Sequence, residues 1–123
     1  MSSEELKTLI LDFISDLKDN VFVTPDEQGD MMLIEFFFQR LHPDMVMKHI
    51  MTNLVPHKKR VTTRDETFFL DNRVIFTGIP EDRIDHYANY VRNRGSISEE
   101  NRDTIYQYFE EMIRIAEDHR KRK

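Results

Sequence analysis

The stretch "TPDEQGDMMLIEFFFQRL", residues 24–41, decides the fold. Its interior, from Met31 to Phe38, is broken by one charge, Glu35. A run this apolar fits a buried strand or a buried helix, because short apolar runs are ambiguous by period alone. The start of the stretch resolves the ambiguity. Thr24 has Pro25 next to it, where a helix tolerates proline, and Glu27 three residues on, which is capping-box spacing. A helix is therefore expected from about Pro25 to Leu41. Met31, Met32, Leu33, Ile34, Phe36, Phe37 and Phe38 exceed one stripe, which predicts a central helix touched by neighbours on several sides.

Other helices follow outward from this one. Upstream, Leu6, Leu9, Ile10, Phe13, Ile14 and Leu17 repeat at helical spacing, and Ser2 with Glu5 has capping-box spacing, so a helix ends near Asn20. Downstream, Pro43 and Asp44 open a helix with Val46, Met47, Ile50, Met51 and Leu54 inward, stopped by Pro56. Residues 56–62 read as loop, and Thr63 with Glu66 repeats the capping spacing before Phe68, Phe69 and Leu70. Residues 71–79 carry no decisive pattern. Pro80 opens a helix with Ile84, Tyr87, Ala88 and Val91 inward, closed by Gly95. Ser98 caps a long helix through Ile105, Tyr108, Phe109, Met112, Ile115 and Ala116. The expected fold is all-α, a compact bundle of five or six helices in one domain over residues 1–119, followed by a basic C-terminal tail at 120–123. Phe13, Phe37, Ile50, Phe69, Tyr87, Phe109 and Met112 are its expected core.

The chain has 123 residues, enough for a core without metals or disulfides, and it contains no cysteine. Disulfides, thiolate zinc sites and a cysteine nucleophile are thereby excluded. The early acids Glu4, Glu5, Asp12 and Asp16 do not fit a signal or transit peptide, and no apolar run reaches membrane-spanning length. A soluble intracellular protein, cytoplasmic or nuclear, is the expectation.

Net charge is −5, so the general field repels nucleic acid and any such contact must be local. Two basic islands punctuate the acidic background. One is Lys58, Lys59, Arg60 and Arg64; the other is Arg120, Lys121, Arg122 and Lys123. They are the candidate contacts of a nucleic-acid-binding module using the basic loop 57–64 and the tail. The bland alternative is a solvated loop and a helix end whose cations meet the negative pole of the dipole.

Catalytic constellations fail one by one. Gly29, Gly78 and Gly95 are too scattered for a phosphate-cradling loop, and no HExxH pair or glycine-flanked serine occurs. Asp82 and His86 are one helical turn apart with Asp85 beside them, too few ligands for a metal site. His49 and His57 flank the basic segment without an evident third partner. The chain reads as not an enzyme, with no cofactor.

Met31, Met32, Met45, Met47 and Met51 cluster in two adjacent helices, where methionine suits core gaps and adaptable binding surfaces alike. They are the candidate partner surface. Because the second helix carries more apolar residues than one bundle interface covers, self-association through a leftover apolar face is expected, most simply as a two-fold dimer.

Residues 68–119 carry "FFLDNRVIFTGIPEDRIDHYANYV" and "ISEENRDTIYQYFEEMIRIAEDH", an aromatic pair before an asparagine, a hydrophobic triplet leading to an "IP" helix start, and an aromatic-rich helix ending in a charged segment. This segment resembles small helical proteins of nucleocytoplasmic large DNA viruses, the giant-virus group. The resemblance implies a helical fold and a viral, virion-associated or host-interaction protein, and it transfers no catalytic residue. A non-catalytic helical interaction or structural protein is the reading that follows.

Overall fold

The single apolar stripe at the start of the chain forms α1, Ser2–Asn20, in the computed structural model, which describes residues 2–65, 82–83, 85–87 and 98–121. Leu6, Ile10, Phe13, Ile14 and Leu17 are buried along it, and Glu4, Glu5, Asp12 and Asp19 face solvent. The chain turns at Val21 and Phe22, whose backbone N–H groups both donate to the Leu17 carbonyl, at 3.0 and 2.7 Å. Phe22 is fully buried in the turn.

Thr24 then opens α2, Pro25–Arg40, with the expected capping box. The Glu27 N–H donates to Thr24 Oγ1 at 3.3 Å, and Glu27 Oε1 accepts from the Thr24 N–H at 3.4 Å. Two of the donors orphaned at a helix start are thus satisfied. At the other end, Lys7 of α1 reaches across and donates to the carbonyls of Gln39 at 2.9 Å and Leu41 at 2.7 Å. A cation on the last carbonyls meets the negative end of the dipole and ties α2 to α1.

Leu41 is extended, and His42 caps α3, Pro43–Asn53, through Nδ1 accepting from the Asp44 N–H at 3.1 Å. Val46, Met47, Ile50 and Leu54 are buried as the spacing requires. The long C-terminal helix is capped by Ser98, whose Oγ accepts from the Asn101 N–H at 3.1 Å. It runs over Glu99–Lys121, so Arg120 and Lys121 continue the helix. Ile105, Tyr106, Phe109, Met112, Ile113, Ile115 and Ala116 line its buried face.

Helix α1 lies at the centre, packed against α2, α3 and the C-terminal helix. Phe13 stands edge-on to Phe109 with centroids 5.5 Å apart, and Tyr108 donates to Asp16 Oδ2 at 3.2 Å. The fold is all-α, and no strand occurs among the described residues.

Four expectations are corrected. Among the described residues the hub is α1, not α2: α2 buries Glu27, Met31, Ile34 and Phe38, a single stripe, and leaves Met32, Leu33 and Phe36 exposed. Phe37 is therefore half-buried while its neighbour Phe38 enters the core. The third concerns residues 56–62, which are not loop. A short 3₁₀ turn, Val55–His57, leads into α4, Lys58–Thr62, and the C-terminal helix is accordingly α5. Pro56 ends α3 but sits in the first turn of the 3₁₀ segment, where its missing N–H is no loss. Thr63 closes α4 instead of starting a new helix, with its hydroxyl donating to the Lys59 carbonyl at 2.9 Å. Phe69, residues 71–79, and Ile84, Ala88, Val91 and Gly95 of the helix expected after Pro80 lie outside the described residues. Asp82–Arg83 and Asp85–Tyr87 have helical backbone, and Tyr87 is buried.

Candidate functional site: the outer face of the second helix

Helix α2 has two apolar faces. One is the buried stripe Glu27, Met31, Ile34 and Phe38. Half a turn away around the same helix lie Met32, Leu33 and Phe36, which are 58 %, 50 % and 55 % exposed. Gly29 belongs to this outer face, one turn before Met32 and Leu33, and no packed neighbour lies within 4 Å of where a side chain there would begin. A glycine inside a helix costs about 1 kcal/mol relative to alanine. Nothing packed against Gly29 among the described residues accounts for it. Arg40 extends the face at its C-terminal end, with its guanidinium 5.2 Å from the centre of the Phe36 ring. Large apolar side chains repeated along one exposed face are uncommon on a monomer and mark contact surfaces.

The candidate methionines separate on this geometry. Met31 and Met47 are core residues, Met51 is half-buried against the core, and Met32 and Met45 are exposed. The outer face of α2 thus retains Met32 from the methionines and gains Leu33 and Phe36, while Met45 is exposed on α3. Helical phase carries that distinction, once one knows which stripe faces α1.

The first basic island is folded against α5. Lys58 donates to Glu117 Oε1 at 3.0 Å, Arg60 to Asp65 Oδ2 at 3.1 Å, and Arg64 bridges Asp103 at 3.1 Å and Glu110 at 2.7 Å. Arg64 has a left-handed backbone, φ 57°. It ends α4 in a Schellman arrangement: the Arg64 N–H donates to the Val61 carbonyl at 3.2 Å and the Asp65 N–H to the Arg60 carbonyl at 2.9 Å. A non-glycine residue there costs about 1–2 kcal/mol, offset here by the ion pairs and by Arg64 Nη1 donating to the Val61 carbonyl at 3.0 Å. Burial opposes the charge on Arg64, and its hydrogen bonds to Glu110 and Asp103 outweigh that, so the guanidinium is held even above its ordinary high value. Lys59 has no carboxylate partner among the described residues. The first island runs along α5, from Glu117 beside Lys58 to Asp103 beside Arg64, so only its Lys58 end lies about one turn from Arg120 and Lys121. Arg122 and Lys123 lie outside the described residues.

A polar cluster on the inner edge of α2 joins residues 53 to 60 positions apart. Glu27 Oε2 lies 3.1 Å from His86 Nε2, and Asp30 Oδ2 accepts from the Tyr87 hydroxyl at 2.6 Å and from Arg83 Nε at 2.8 Å. Burial, and then the Asp30 carboxylate, push the Tyr87 phenol well above its ordinary value. His86 is therefore engaged with Glu27, and Asp82 and Asp85 are exposed. Among the described residues no group of three side chains could hold a metal ion. The cluster clasps the 82–87 segment to α2, with Phe22 edge-on to Tyr87 at 4.9 Å beneath it. His49 packs edge-on to Phe38 at 5.9 Å, and His57 lies in the 3₁₀ turn.

The chain matches no family model, and no curated protein or solved structure is similar to it. Among the described residues no helix is long and apolar enough to cross a membrane.

Proposed function

We propose that the protein is a non-catalytic helical interaction or structural protein that self-associates through the outer face of α2. The observation that carries this reading is the exposure of Met32, Leu33 and Phe36 on one face, opposite a stripe that already supplies the intramolecular contact. The resemblance of residues 68–119 to giant-virus proteins supports a viral, virion-associated or host-interaction role for the assembly. Sedimentation over a concentration series tests the proposal. A two-fold dimer that dissociates on dilution is expected, and Phe36→Glu shifts it to monomer; a clean monomer at high concentration ends the reading.

The second reading is a nucleic-acid-binding module, favoured by Lys58 lying about one turn of α5 from Arg120 and Lys121. Lys58, Arg60 and Arg64 already hold carboxylates, which a phosphate would have to displace, and the net charge opposes approach. Binding that weakens steeply with salt and is lost in a Lys58, Lys59 and Arg60 to alanine triple variant would establish it over the first.

A further inference from the structure

We infer that in the self-associated protein two copies of α2 lie antiparallel about a two-fold axis beside Leu33, each Phe36 packing over the other copy's Gly29 and each Asp26 pairing with the other copy's Arg40. This rests on the self-association proposed above and specifies its geometry. Asp26, Leu33 and Arg40 are seven residues apart, two helical turns each, so they run along one flank of the outer face. Gly29 and Phe36 are also seven apart and occupy its middle. A two-fold axis at Leu33 exchanges positions 26 and 40 and brings position 36 to within about one residue of position 29. The smallest residue on the face therefore meets the largest, and the open space at Gly29 receives a ring.

Charge selects the direction. Asp26 and Arg40 make no ion pair among the described residues. An antiparallel pair places them opposite each other on the same flank and opposes the two helix dipoles. A parallel pair would instead set Asp26 against Asp26 and Arg40 against Arg40. The helix dipole alone accounts for an acid in the first turn and a base in the last, but not for both standing on one flank beside an exposed apolar face.

The chain has no cysteine, so single cysteines report the geometry directly. Under copper-catalysed air oxidation, Leu33→Cys is expected to cross-link to itself into a covalent dimer. Phe36→Cys is expected to stay uncross-linked alone and to form a heterodimer when mixed with Gly29→Cys. Charge reversal gives an independent readout: Asp26→Arg or Arg40→Asp alone should weaken dimerisation about tenfold, because symmetry removes the pair twice, and the double reversal should restore it. Self-cross-linking of Phe36→Cys would overturn the antiparallel arrangement. A dimer by sedimentation in which none of these cysteines cross-links would overturn α2 as the interface while leaving self-association standing. A monomer at high concentration would remove both.

Discussion

Two regions attract attention in the sequence, the apolar stretch of α2 and the basic segment from Val55 to Asp65, and the fold treats them in opposite ways. Half of the apolar stretch is left facing solvent, whereas most of the cationic segment is folded against α5 and its carboxylates. Residue type alone predicts the reverse. What separates them is the supply of partners. Helix α1 offers α2 one surface, which a single stripe saturates, while α5 offers the basic segment Asp103, Glu110 and Glu117 on one side.

The largest expected effect breaks or sharpens that contrast at two phenylalanines. Phe109 is 1 % exposed against Phe13, and Phe109→Ala should destabilise the fold by about 3–5 kcal/mol in urea unfolding. Phe36→Ala, measured at concentrations where the protein is monomeric, should change stability by no more than about 0.5 kcal/mol. Equal losses would mean that Phe36 belongs to the core.

Arg64 probes the other region. Arg64→Ala removes the ion pairs with Asp103 and Glu110 and leaves the left-handed backbone as strained as it is with arginine, so a loss of about 0–2 kcal/mol is expected. Arg64→Gly loses the same pairs but relieves the backbone, and should be more stable than the alanine variant by about 1 kcal/mol. If the two variants are indistinguishable by denaturation, the left-handed cap is not under strain.

Tyr87 tests the inner edge of α2 through pH. Its phenol is pushed up in the fold, by burial first and by Asp30 second, while the unfolded chain ionises at the ordinary value near 10. The unfolded state therefore releases this proton first as pH rises. The stability due to Tyr87 is fully present below pH 10 and is lost above it. Unfolding free energies measured from pH 8 to 11 should fall more steeply in the native protein than in Tyr87→Phe. Tyr108, raised by burial and by Asp16, retains part of the slope in that variant. Parallel curves would place the Tyr87 phenol in solvent.

The smallest effect belongs to the exposed cations. Replacing Lys58, Lys59 and Arg60 together by alanine should change stability by about 0–1 kcal/mol for each ion pair removed and leave no nucleic-acid affinity to lose at physiological salt. A salt-dependent gel shift present in the native protein and absent from the triple variant would reverse the assignment of this segment.

Local chemistry made most elements legible. The Thr24–Glu27 box, the prolines at 25 and 43, the Ser98 cap and the helical periods of α1, α3 and α5 act within four residues, so helix starts and core faces follow from the chain alone. The 3₁₀ turn and α4 were hidden because a proline and a cluster of cations read as breaker and loop. They become helical only where Val61 is buried and Glu117 and Asp103 receive the charges.

The all-α class, the limits of most helices and the excess of apolar surface on α2 follow from the order of residues, since propensity, capping and period are short-range. Only the tertiary structure decided that α1 is the hub, that Met31 and Met47 are core while Met32, Leu33 and Phe36 are surface, and that Glu27 and Asp30 meet His86 and Tyr87. Those facts depend on residues 57 to 60 positions apart and on which of two apolar stripes faces a neighbour. A helix carrying both stripes can satisfy either one, and the choice is made by the surfaces available to pack against it.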